Sequence, residues 1–139
     1  MDLINPDVQA YAEKFSSPED ELLHEIAEYT LHHHADPQML SGHLQGKFLE
    51  MMSCMVRPRR ILEIGTFTGY SALCLAKGLE PDGQLHTIEL RENDAALAQG
   101  YFNRSALRHK IIQHTGSAKE VIPTLNETWD LVFIDADKV

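Results

Sequence analysis

Two hydrophobic rhythms divide the chain. Through residues 1–58, apolar positions recur at three- and four-residue intervals, the period of amphipathic helices. Asn5-Pro6 is a helix start, a side-chain cap followed by proline at the first helical position, and predicts a short helix to about Phe15. Ser17-Pro18-Glu19-Asp20 repeats the signal. A second helix follows with Leu22, Leu23, Ile26, Ala27, Thr30 and Leu31 on one face, stopped by Asp36-Pro37. Ser41 is placed as the cap of a third helix, in which Leu44, Phe48, Met51, Met52 and Met55 form an apolar stripe expected to pack into the core. Pro58 ends it.

Over residues 59–139 the rhythm changes to short apolar runs alternating with helical segments. Ile61 to Ile64 reads as a strand, and the alanine-rich segment Ala72 to Leu79 as a helix. After the turn at Pro81-Asp82-Gly83, Leu85 to Glu89 is a second strand and Glu92 to Leu107 a helix weakened at Gly100. Ile111 to His114, Ala118 to Leu125 and Leu131 to Ile134 read as strand, short helix and strand. Strands alternating with helices predict an α/β fold, a mostly parallel sheet with helices on both faces and right-handed crossovers. The whole is one domain of 139 residues, a helical part over 1–58 and an α/β part over 59–139.

Composition trims the possible functions. A net charge of −9 argues against nucleic acid as a partner, since a phosphate footprint needs clustered Lys and Arg and the only cluster is Arg57, Arg59 and Arg60. No apolar run approaches the roughly 20 residues of a membrane span. The first residues, Met1-Asp2-Leu3-Ile4-Asn5-Pro6, lack the basic start and apolar core of a signal peptide. Cys54 and Cys74 both fall in predicted helices and read as buried free thiols, which suits a cytoplasmic location. His32-His33-His34 would spread over about 200° of helical arc, so they cannot share one metal and read as a solvated helix end.

The candidate chemistry gathers where the predicted strands end. Glu63-Ile64-Gly65-Thr66-Phe67-Thr68-Gly69-Tyr70-Ser71 is a strand, a glycine turn and a helix start, the arrangement that makes a ligand site in an open α/β sheet. A dinucleotide loop needs a middle glycine so that the backbone can approach a pyrophosphate, and Thr66 and Phe67 stand there instead. A smaller, nucleoside-like ligand is expected, and a nicotinamide dehydrogenase is disfavoured. Glu89 ends the second strand, where a carboxylate accepts hydrogen bonds from ribose hydroxyls. Glu63 is a carboxylate inside an apolar strand and needs a partner, which a cationic or amino-bearing ligand could supply. Asp135 and Asp137 follow the last strand and suit a hard cation such as Mg²⁺ or Ca²⁺, with Lys138 a candidate base.

These residues, with Gly116-Ser117-Ala118 and Asp130 to Lys138, resemble the class I S-adenosylmethionine-dependent O-methyltransferases, in particular the caffeoyl-CoA and catechol O-methyltransferase-like group with its bacterial members. Ser41 to Leu49 resembles the segment before the first strand of that group, and the likeness covers about residues 37 to 138. It implies a Rossmann-like methyltransferase sheet preceded by N-terminal helices. By the same likeness Glu63, Gly65, Thr66 and Ser71, with Ser41 nearby, hold the methionine part of S-adenosylmethionine, Glu89 the ribose and the Ala118 backbone the adenine. Asp137 touches the cofactor, Asp135 ligates a divalent metal and faces the substrate, and Lys138 is the base. The implied reaction is methyl transfer to a hydroxyl of a small, catechol-like acceptor by a homodimer. The family continues past the point matching Val139 with further strands and an Asp-Asn pair of metal ligands, so this chain is expected to represent a truncated form. Two alternatives stay open: a tRNA hydroxyuridine methyltransferase, and a cofactor-binding module without catalysis.

Overall fold

The computed structural model describes residues 4–137 of the chain. Helix α1, Pro6–Lys14, starts as expected, with Asn5 accepting the Asp7 N–H at 2.9 Å. Helix α2, Glu21–His33, is capped by Asp20 rather than by Ser17; the Asp20 carboxylate accepts the Leu23 N–H at 2.8 Å. It buries Leu23, Ile26, Ala27 and Thr30, while Leu31, one position further round, faces solvent. A 3₁₀ turn at Pro37–Met39 leads into α3, Gly42–Val56. Ser41 stands before α3 but its own backbone is helical and its side chain makes no capping hydrogen bond, so the expected cap is not formed.

Strands β1 (Arg60–Ile64), β2 (Gln84–Glu89), β3 (Ile111–Thr115) and β4 (Leu131–Ile134) form one sheet in the order β3-β2-β1-β4, every pair parallel. Helix α4, Tyr70–Ala76, follows β1; α5, Glu92–Arg104, follows β2; and α6, Ala118–Val121, follows β3 and continues as a 3₁₀ turn at Ile122–Thr124. The expected segments after β2 and β3 each stop short of their predicted ends, at Ser105 and Ile122.

Side chains alternate across the sheet. One face carries Ile61, Leu85, Ile111 and, at the β4 edge, the partly buried Leu131 and Phe133; against it lie α4, α5 and, further out, residues of α2 and α3. All seven residues of α4 are buried. The opposite face carries Leu62, His86 and Ile88, with α6 against β2. Val132 and Ile134 of β4 share that face and are exposed.

The methionine stripe of α3 does not enter the core. Phe48, Met51 and Met55 are 55%, 50% and 72% exposed, and the inward face is Gly46, Leu49 and Ser53. The cause is how closely α3 approaches α4. A Cβ at Gly46 would come 2.6 Å from Tyr70 Cε1 and 2.9 Å from Cys74 Sγ, so only the small-residue side of α3 can face inward. Ser53 donates its hydroxyl to the Leu75 carbonyl across the same contact. Cys54 lies on the outer side and is exposed; only Cys74 is a buried thiol, and burial pushes its pKa up to about 12.

Candidate functional site

The glycine turn after β1 is shaped first by sterics. Gly65 sits at φ +101°, and a Cβ there would lie 2.5 Å from the Asp135 carbonyl oxygen, so the exits of β1 and β4 touch at this glycine. Its N–H continues the ladder to the Ile88 carbonyl at 3.0 Å, and the Asp135 N–H reaches the Ile64 carbonyl at 2.9 Å. Gly69, at φ +91°, opens α4 where a Cβ would come 2.8 Å from Phe102. Between them Phe67 adopts φ +53°, the left-handed region that a residue bearing a side chain seldom enters. The turn thus brings the ends of β1, β2 and β4 together.

Glu63 is fully buried, and its partners are hydroxyls of the chain itself. Ser71 Oγ donates to Oε2 and Thr87 Oγ1 to Oε1, both at 2.7 Å. Since the Thr87 proton is spent on Glu63, the 2.6 Å contact between Thr66 and Thr87 hydroxyls has Thr66 as donor. The result is a relay, Thr66 to Thr87 to Glu63, with Ser71 on the other oxygen. Burial pushes the Glu63 carboxyl up to about 7, offset in part by the Ser71 and Thr87 hydrogen bonds. The partner that a ligand could have supplied is found within the chain: Ser71 and Thr87 hold the carboxylate, and Glu63 lines neither of the cavities at this edge.

Glu89 differs. It is buried, ends β2, and each carboxylate oxygen accepts one backbone N–H: Oε2 from Phe67 at 2.7 Å and Oε1 from Arg91 at 2.9 Å. The carboxylate is therefore held in one orientation at the wall of a cavity of about 350 Å³, a size that suits a small-molecule site. Gly65, Ala118, Asp135 and Asp137 line the same cavity. A smaller cavity of about 20 Å³ shares Gly65 and Asp135 and is lined also by Ser41, Thr66 and Ser71. So the structure gathers Gly65, Glu89, Ala118, Asp135 and Asp137 around one space, with Ser41, Thr66 and Ser71 around its neighbour. Lys138 lies outside the described residues.

Several lining residues had no signal in the sequence. Met39, Leu90 and Arg91 border the larger cavity, with Leu90 70% exposed there. His34 was read as part of a solvated helix end, and that is corrected. His32 and His33 are exposed and turn to the Glu28 and Tyr29 carbonyls, but the His34 side chain is only 12% exposed. Its Nδ1 accepts the Asp36 N–H at 3.0 Å, which assigns the ring proton to Nε2, and Nε2 donates to Asp94 Oδ1 at 2.9 Å. Its ring stands edge-on to Phe67, centroids 4.5 Å apart.

Nothing here makes a metal centre by itself. Hard cations take six or more oxygens, and among the described residues no three His, Cys, Asp or Glu side chains are grouped to hold one. Asp135 and Asp137 are the carboxylates the chain brings to that position. A larger but more open hollow of about 480 Å³ lies at the amino edge of the sheet between Arg57, Arg59, Glu80 and Asp130. Its charged groups already have partners, Arg57 with Glu80, the Arg59 guanidinium with Asp82, and the Asp130 carboxylate with the backbone N–H groups of Arg59 and Arg60. The carboxyl edge is where open α/β sheets bind ligands.

Comparison with known proteins points the same way. A family model described as O-methyltransferase matches residues 13–139. The chain is similar to a catechol O-methyltransferase of Niastella koreensis, 39% identical over 98 residues that cover 68% of this chain and 44% of that protein. It is similar to caffeoyl-CoA O-methyltransferase 2 of Populus trichocarpa, 31% identical over 126 residues, 86% of this chain and 51% of that one. Among solved structures, the O-methyltransferase TomG from Streptomyces achromogenes, in complex with SAM, matches with a TM-score of 0.88 and 37% identity over 95% of this chain and 60% of its own. The chain spans about half the length of the curated relatives it matches.

Proposed function

The chain belongs to the O-methyltransferase family, and from that premise we propose that it binds S-adenosylmethionine at the carboxyl edge of the sheet and serves methyl transfer to a hydroxyl of a small, catechol-like acceptor. One observation carries the reading. Glu89 stands at the cavity wall with each oxygen held by a backbone N–H, which leaves a lone pair on each for the two ribose hydroxyls. The bound donor seen with TomG supports it, as does a glycine turn without the middle glycine of a pyrophosphate loop.

In this reading the backbone at Ala118 meets the adenine, and Gly65, Thr66, Ser71 and Ser41 surround the methionine part. Glu63 serves by holding Ser71 and, through Thr87, Thr66. Asp137 touches the cofactor and Asp135 faces the acceptor. When bound, S-adenosylmethionine supplies an electrophilic methyl group on a sulfonium. Glu89, Asp135 and Asp137 give the cavity a negative potential that suits this positive charge. Lys138 is the proposed base that takes the acceptor's hydroxyl proton, and most of the rate gain comes from holding oxygen and methyl in line. The reading includes a divalent cation, Mg²⁺ or Ca²⁺, for which Asp135 would be the ligand that this chain supplies and which would lower the pKa of the acceptor hydroxyl.

The reading also includes a homodimer, supported by the apolar residues that α1 and α3 leave in solvent, and a reducing, cytoplasmic setting, supported by two free thiols. Among the described residues no helix is long and apolar enough to cross a membrane. A net charge of −9 speaks against a tRNA acceptor.

Calorimetric titration with S-adenosylmethionine tests the assignment. Glu89→Ala is expected to weaken binding by about 10- to 100-fold, the worth of hydrogen bonds to a charged group. No binding by the unaltered chain overturns the cofactor reading. Methyl-labelled donor offered with catechols then tests the acceptor, and label found only in tRNA would replace it.

A further inference from the structure

Phe67 is the weak link of the proposed ribose clamp. Its N–H holds Glu89 Oε2, yet it can do so only while its backbone stays at φ +53°. A left-handed residue with a side chain relaxes to ordinary φ unless its surroundings hold it. Its own loop ties the backbone around it, with the Gly69 N–H on the Thr66 carbonyl at 3.0 Å and the Thr66 and Thr68 hydroxyls bonded to Thr87 and Thr30, but none of these bonds touches the Phe67 side chain.

The brace on that side chain comes from a residue 33 positions earlier in the chain. We infer that His34 is a positioning residue for Glu89, acting by bracing the Phe67 ring so that the Phe67 N–H stays on the carboxylate; this rests on the ribose role proposed for Glu89. The His34 ring meets Phe67 at 75°, edge against ring, 4.5 Å between centroids. It cannot pivot away, because both nitrogens are engaged: Nδ1 by the Asp36 N–H and Nε2 by Asp94. Those two aspartates are tied in turn by one guanidinium, Arg91 Nη1 lying 3.0 Å from Asp36 Oδ2 and 3.7 Å from Asp94 Oδ2. Arg91 is also the residue whose N–H holds the other Glu89 oxygen. The circuit therefore closes: Glu89, Phe67, His34, Asp94 and Asp36, Arg91, and back to Glu89. It joins the end of α2 and the start of α5 to both donors of the clamp. An imidazole suits the post because it offers an acceptor, a donor and an aromatic edge at fixed angles, which no other neutral side chain does.

Two measurements test this. The first needs no ligand: amide hydrogen exchange read by NMR in the unaltered chain and in His34→Ala. Phe67 N–H protection is expected to fall about tenfold or more, while the Gly65 N–H, held by Ile88, keeps its rate. Unchanged Phe67 protection, or equal loss at Gly65, overturns the inference. The second is a double-mutant cycle in S-adenosylmethionine affinity. His34→Ala is expected to weaken binding about tenfold alone and less than twofold in the Glu89→Ala background, because a residue that acts through Glu89 has nothing left to position. Equal losses in both backgrounds would mark His34 as general packing and overturn the inference. Loss of Phe67 protection in a chain that binds no S-adenosylmethionine would uphold the bracing and sink the ligand reading alone.

Discussion

Glu63 and Glu89 are two carboxylates on one face of neighbouring strands with opposite fates. Glu89 reaches the cavity wall and is oriented by amides; Glu63 sits inside the sheet's packing and is served by hydroxyls. Both were visible in the sequence, Glu63 as a carboxylate inside an apolar strand and Glu89 as one at a strand end, but which of them reaches the cavity is not reported by strand periodicity. Glu63 also has a pH signature. Its folded value, raised to about 7 against the usual 4.5, means that the native state keeps a proton between those values that the unfolded chain has already lost. The stabilisation is complete below about 4.5 and is lost as pH rises through about 7. Glu63→Gln should therefore be more stable than the unaltered chain at pH 8, by up to about 3 kcal/mol, and the difference should shrink as pH falls toward 5. Urea unfolding at the two pH values checks this; equal differences at both would refute it. His86 and His114, both lowered chiefly by burial, act in the opposite sense, losing stability as pH falls below the ordinary 6.5. The comparison must therefore be made between variant and parent at each pH.

At the scale of elements, α3 shows how a strong pattern can point the wrong way. Leu44, Phe48, Met51, Met52 and Met55 make the stripe that helical period favours, but the helix turns Gly46, Leu49 and Ser53 inward. Depth of approach decided it: α4 is buried along its whole length, so its neighbour must present small groups, and a smaller contact distance wins more dispersion contact than larger side chains held further away. Gly46→Leu should accordingly destabilise the fold by about 2 kcal/mol or more through overpacking against Tyr70 and Cys74. Met51→Ala, on the solvent side of the helix, should cost less, and thermal unfolding of the two variants ranks them. The strands, by contrast, were legible almost to the residue, because each is a short stretch built on Ile, Leu, Val or Phe and followed by a turn.

For the whole molecule, what matters is which surfaces remain. Val8 and Tyr11 of α1, Phe15 at its end, and Phe48, Met51 and Met55 of α3 all face solvent. If a second copy covers the α3 part, as proposed, light scattering after size-exclusion should give a dimer mass, and Met51→Glu should shift it toward the monomer while leaving the circular dichroism unchanged. A monomeric parent chain would overturn that reading. The sequence by itself determined the α/β class, the four strands and their parallel sense, the turn at Gly65 and the carboxylates Glu89, Asp135 and Asp137, because these follow from local periodicity, backbone sterics and charge. Only the tertiary structure decided which side of α3 is inside, that Glu63 is paired by Ser71 and Thr87, and that His34 lies against Phe67. Each of these is a contact between different elements of the fold, set by how closely helices and strand ends can approach. Distances of that kind leave no period in the sequence.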